Sequence, residues 1–187
     1  MLRTLSTPVN KLSVTSYVTL GIIAVRGPST SYDLKRAIAK SVGYFWAFPH
    51  AQLYDEPVRL VRLGLLVQEQ EQEGRRRRFY RITASGKDAL RSWLRQPVTE
   101  VFELRDIATL KLFFGQLVEP NDLQALAESQ LALHRERLAE YQAIARKHGK
   151  EAGLAVRMAP LDLGLRLERA SLAFWEQIRN SPPTVKP

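Results

Sequence analysis

The chain has no cysteine, which excludes disulfides and thiolate metal sites. Histidine is scarce, with residues only at 50, 134 and 148. His134 and His148 fall roughly four turns apart on one expected helix, too distant to share a metal. No window approaches the ~18–20 unbroken apolar residues of a membrane-spanning helix, and mean hydropathy is -0.23. The run Val14–Val25, preceded by Lys11, has the length of a signal h-region. It lacks a small-x-small cleavage site and ends in Arg26-Gly27-Pro28, so it reads as a core helix. The compartment expected is the cytoplasm. Motifs of catalysis are missing as well. There is no G-x-G-x-x-G, no H-E-x-x-H and no G-x-S-x-G, and Gly86-Lys87 lacks the upstream glycine of a Walker loop. The sequence therefore predicts neither an enzyme nor a metal or cofactor site.

What is present is positive charge, unevenly spread. The 187 residues carry a net charge of +9. Residues 1–97 hold 16 Lys/Arg against 7 Asp/Glu, whereas residues 98–187 hold 12 of each. The whole excess lies in one half, as expected when one module meets a polyanion and the other does not. An adaptor that kept such a module for protein contacts alone would not need this concentration.

The pattern along the chain divides at the same place. A polar tail through about Ser13 is expected to fray. Val14–Val25 is helical, Gly27–Ser31 is a turn ending in a capping residue, and Tyr32–Ala39 is a short amphipathic helix. After the aromatic loop Gly43–Phe48, apolar residues at Leu53, Leu60 and Leu63 predict a third helix from about His50, closed by Gly64 as a left-handed cap. Pro57 falls inside it, which predicts a kink or a tight first turn around Leu53–Glu56. Leu65–Glu71 and Phe79–Ile82 read as strands joined by a turn at Gly74, and Thr83 caps a fourth helix to about Leu94. The expectation is mainly α with a small β-hairpin: a winged helix-turn-helix over 1–97 and an all-helical dimerisation domain over 98–187. In the second half, Asp106–Leu117 is a short helix, Asn121 or Asp122 caps a long one to about His148, and Leu161–Ile178 follows Pro160. That last segment is apolar nearly all round, which asks for a partner subunit.

Several stretches resemble the PadR family of bacterial transcriptional regulators. They are Leu20-Gly21 with Gly27-Pro28, Tyr32-Asp33-Leu34-Lys35, Phe45-Trp46, Gln52-Leu53-Tyr54, Gly64-Leu65 and Tyr80-Arg81-Ile82-Thr83-Ala84-Ser85-Gly86. Arg105-Asp106 leading to Leu110-Lys111-Leu112-Phe113-Phe114-Gly115 is similar to the family's larger, two-domain branch. The resemblance implies a homodimeric DNA-binding regulator, usually a repressor relieved by a small effector. The chain departs from the family at His50, Asp55 and Pro57, within the reading helix, so no operator sequence carries over.

On that reading the DNA-binding residues expected are Tyr32, Lys35, His50, Gln52, Tyr54, Arg59, Arg75 and Arg77. Gln52 can pair with adenine in two bonds and Tyr54 can donate to a phosphate; Arg62 is read as solvated. A two-residue turn at Gly74-Arg75 would set Glu73 opposite Arg76 and Glu71 opposite Arg78. It would leave Arg75 and Arg77 uncompensated for the DNA backbone. Trp93 and Trp175 are the residues expected to border a pocket for a small aromatic effector.

Overall fold

A computed structural model describes residues 12–46, 48, 52–72, 76–148 and 155–183. The tail 1–11, His50, the wing residues Glu73, Gly74 and Arg75, and the side chain of Gln52 lie outside the described set. Backbone packing divides the chain into two compact units, Met1–Glu100 and Val101–Pro187.

The first unit is built from helices whose ends the sequence specifies. Helix α1 (Val14–Arg26) starts at a capping box. The Ser16 amide donates to Ser13 Oγ at 3.2 Å, and the Ser13 amide donates to Ser16 Oγ at 2.9 Å. Helix α2 (Ser31–Ala39) repeats the device with Thr30 and Asp33, one residue earlier than the expected cap at Ser31. The Thr30 hydroxyl bond, aided by the Thr30 amide, holds the Asp33 carboxyl below its ordinary range. Helix α3 (Gln52–Arg62) ends in a Schellman motif. Gly64 sits at φ +71, the Leu65 amide reaches the Leu60 carbonyl at 3.0 Å, and the Gly64 amide reaches Val61 at 2.9 Å.

Pro57 lies inside α3, and the helix is continuous across it. Its ring is fully buried and shares one face with Leu53 and Leu60, so packing offsets the missing donor. Strands β1 (Leu66–Gln70) and β2 (Arg78–Ile82) form an antiparallel hairpin, followed by α4 (Ala84–Leu94), which Thr83 caps. Ser29 bridges the free edge of β2 through paired amide–carbonyl bonds with Tyr80 at 3.1 and 2.9 Å. This ties the hairpin to the start of α2. Leu20, Ile23, Leu34, Leu60, Leu66, Tyr80 and Leu90 make one core that draws on every element of the unit.

The second unit holds α5 (Ile107–Phe113), α6 (Pro120–His148) and α7 (Ala155–Asn180). Asp106 caps α5 by accepting from the Ala108 and Thr109 amides and the Thr109 hydroxyl. Three expected boundaries shift. α5 ends at Phe113 rather than Leu117. Pro120 is the first residue of α6 rather than a stop before it, since its missing N–H is no loss there. α7 begins five residues before Pro160 and runs through it. α6 and α7 run antiparallel: Gln124 reaches the Arg179 carbonyl, Arg135 pairs with Glu176, and Tyr141 lies over Gly164. A Cβ at Gly164 would come within 2.8 Å of the Tyr141 ring, so glycine permits the close crossing. Glu168, 7% exposed, meets His134 Nδ1 at 2.5 Å.

Candidate nucleic-acid interface

α3 presents one face to the core and one to solvent. At about 100° per residue, Leu53, Pro57 and Leu60 point inward, while Tyr54, Asp55, Val58 and Arg62 share the outer face, all exposed. Tyr54 is 47% exposed. Between the two faces stands a polar tie that sequence reasoning missed. The buried Ser16 hydroxyl donates to Glu56 Oε1 at 2.6 Å, and Arg59 Nη1 donates to the same oxygen at 3.0 Å. Arg59 is thus engaged by Glu56, and its charge is answered within the domain. An acidic residue three positions before an arginine on a helix was the available signal.

On α2, Tyr32 is exposed and the Arg36 guanidinium lies 5.7 Å from its ring centre. Lys35, the expected contact, is half-buried, while its neighbours Arg36 and Lys40 are exposed.

The wing register overturns an expectation. Leu66 faces Ile82, Gln68 faces Tyr80 and Gln70 faces Arg78, and the Glu71 amide bonds the Arg77 carbonyl. The connection therefore spans Gln72–Arg76, five residues instead of two, and Arg76 takes φ +48. One step of register moves every side chain to the other face. Glu71 consequently opposes Arg77, not Arg78. Arg77 donates twice to Glu71, at 3.2 and 3.0 Å, and Arg81 donates twice to Glu69, at 3.1 and 2.9 Å. The Arg77 hydrogen bonds lower the Glu71 carboxyl, and Arg77 itself is raised by the same bonds. The uncompensated charge is not on Arg77. Among the described residues, Arg76 and Arg78 are exposed and form no ion pair.

The two tryptophans expected at an effector pocket belong to different units. Trp93 is half-buried and stacks flat on Tyr17, with ring centres 4.6 Å apart. Trp175, only 2% exposed, is packed into the core of the second unit with Ala108, Ala127, Leu131 and Ile178. It is a core residue of the second unit.

Three helices, a hairpin and a fourth helix, with an uncovered face on the third helix, make a winged-helix domain of the DNA-binding kind. Residues 19–92 match the profile of the transcriptional regulator PadR-like family, and residues 104–180 match the virulence activator alpha C-terminal profile. A curated relative, the negative transcriptional regulator PadR of Bacillus subtilis (strain 168), is 27% identical over 135 residues, spanning 70% of this chain and 72% of that one. The crystal structure of Bacillus subtilis PadR in complex with operator DNA aligns with a TM-score of 0.81 at 23% identity, covering 90% of this chain and 98% of that one. The same protein in complex with p-coumaric acid aligns at 0.76 and 22% identity, with coverage of 90% and 98%. The first unit thus matches the PadR-like family of transcriptional regulators, and the chain shares the fold of these solved relatives. Among the described residues, no helix is long and apolar enough to cross a membrane.

Proposed function

We propose that this regulator is a cytoplasmic homodimeric repressor that grips operator DNA with residues 1–97, dimerises through residues 98–187 and releases DNA on binding a small aromatic effector. The observation that carries the DNA reading is the free face of α3, on a domain holding the entire net charge of +9. Tyr54 on this face meets the major groove, and His50 and Gln52 are the other residues assigned to it. Tyr32, Lys35 and the exposed Arg36 meet the phosphates beside α2. On the wing, Arg75, Arg76 and Arg78 replace Arg77 as backbone contacts, because Glu71 already holds Arg77. Arg59 serves as a positioning residue through Glu56.

The dimer reading rests on α7. Val156, Pro160, Leu163, Leu167, Ala170 and Phe174 are all exposed and recur at alternating four- and three-residue steps. That is the 3.5-residue repeat of a helix seam built for another helix. Burying side chains of this size is worth about 1.5–3 kcal/mol each. The relative solved with p-coumaric acid suggests the effector class, and Trp93 with its stacked Tyr17 supplies a matching aromatic border.

The test combines sedimentation with fluorescence anisotropy on labelled duplexes, using the full chain and a Leu163→Glu/Leu167→Glu variant. The wild type should sediment as a dimer at low micromolar concentration and bind duplex DNA in a salt-dependent way. The variant should be a folded monomer with much weaker binding. A wild-type monomer, or a variant that remains a dimer, contradicts the proposed seam; absence of duplex binding even at low salt contradicts the DNA reading.

A further inference from the structure

The outer face of α3 has an unusual occupant for a surface that meets a polyanion. Val58 is 40% exposed, one turn beyond Tyr54 and one turn before Arg62 on the same face. Asp55 stands beside it with no hydrogen bond to any described residue. Of the neighbouring charges, Glu56 and Arg59 are withdrawn, since Glu56 accepts from both Ser16 and Arg59, while Arg62 stands exposed one turn on. The centre of the presented face is therefore two methyl groups.

We infer that Val58 reads a thymine, its methyls packing on the thymine 5-methyl in the major groove. The inference rests on the DNA-binding role proposed above and adds a base to it. A valine side chain has no donor or acceptor. The apolar feature that the major-groove edges of the four bases offer it is that methyl, since guanine, adenine and cytosine present polar atoms there. Against any of those edges Val58 would desolvate a polar group without replacing its hydrogen bond, which disfavours them. Asp55 acts in the same direction. A carboxylate cannot approach phosphates, so this part of α3 avoids the backbone and meets the groove floor, where it can accept only from a donor such as cytosine N4.

The experiment first enriches preferred sequences from a random duplex library with the full-length protein. Each thymine of the preferred duplex is then replaced singly by deoxyuridine, which removes only the 5-methyl. At one thymine per half-site, the change should weaken wild-type binding about fourfold, the worth of one buried methyl(ene) group. Val58→Ala should bind the thymine duplex more weakly and lose this sensitivity, and Val58→Thr, which keeps one methyl, should retain part of it. The inference is overturned if no thymine position responds in the wild type, or if Val58→Ala responds as strongly as the wild type does. Failure to enrich any sequence, or to bind duplex at all, is a different result: it overturns the DNA-reading role itself and this inference with it.

Discussion

Removing the two wing residues Glu71 and Arg77 together should leave DNA affinity almost untouched, whereas removing Arg76 and Arg78 should not. The reason is charge accounting within the hairpin. Arg77 and Glu71 are joined by two hydrogen bonds at 3.2 and 3.0 Å and sum to zero, so bringing the pair to DNA displaces almost no counterion. Arg76 and Arg78 have no ion-pair partner among the described residues. Every phosphate contact contributes about 0.9 to the slope of log affinity against log salt. The Arg76→Gln/Arg78→Gln variant should therefore flatten that slope by ~2 per subunit and ~4 in a dimer. Glu71→Gln/Arg77→Gln should change it by less than about 0.5 per subunit, because no net charge is removed. Glu71→Gln alone frees Arg77 and should steepen the slope by ~1 per subunit. An exposed pair of this kind is weak and screened by salt, so phosphates compete for Arg77. The assay is fluorescence anisotropy on one duplex over a series of salt concentrations. If the Glu71/Arg77 double variant flattens the slope as much as the Arg76/Arg78 one, the pair opens on DNA and the assignment of wing contacts is wrong.

Two further predictions concern stability. Glu56→Ala leaves the buried Ser16 hydroxyl without its carboxylate acceptor and Arg59 without its partner. It should cost about 1–3 kcal/mol in urea unfolding, and Glu56→Gln, which keeps an acceptor oxygen, should cost less; equal losses would show that the tie is not the cause. Acid should destabilise the second unit through Asp106. Burial raises that carboxyl, but the hydrogen bonds from the Thr109 hydroxyl and from the Thr109 and Ala108 amides outweigh it, leaving a folded value below the ordinary 3.8. A depressed carboxyl contributes its stability above the unfolded value and loses it as pH falls through the folded one. Unfolding free energy should therefore be level above about pH 5 and decline below about pH 4, with a shallower decline in Asp106→Asn. A rise in stability on acidification would contradict this.

The winged-helix outline was legible because its boundaries are written in capping and turn residues. Ser13, Thr30, Thr83 and Gly64 each terminate an element at or within a residue of its expected end. The wing register was not legible. Strand side chains repeat every two residues, so a two-residue and a five-residue connection differ in parity and exchange the faces of the whole arginine run. Four consecutive arginines give no internal mark by which to choose. The tie from Ser16 to Glu56 spans forty residues and depends on how α1 crosses α3, which no local pattern fixes.

α7 shows how a correct reading of composition can still hide the arrangement. Its apolar residues were read as covering the helix all round, but they resolve into two stripes. One runs through Leu161, Leu165, Glu168, Leu172 and Trp175, and the other through Val156, Pro160, Leu163, Leu167, Ala170 and Phe174. Both step by four and three, and residues two apart, such as Leu161 and Leu163, lie on opposite sides. Hydrophobicity alone cannot say which stripe faces the same chain. Glu168 decides it. A carboxylate inside an apolar stripe is costly when buried unless a partner meets it, and His134 on α6 meets it at 2.5 Å. In an antiparallel pair that also sets Gln124 against Arg179, position 134 falls opposite 168. The stripe carrying the charge must therefore be the one against α6. The stripe without a charge is left facing outward, and its 3.5-residue spacing suits a second helix rather than water.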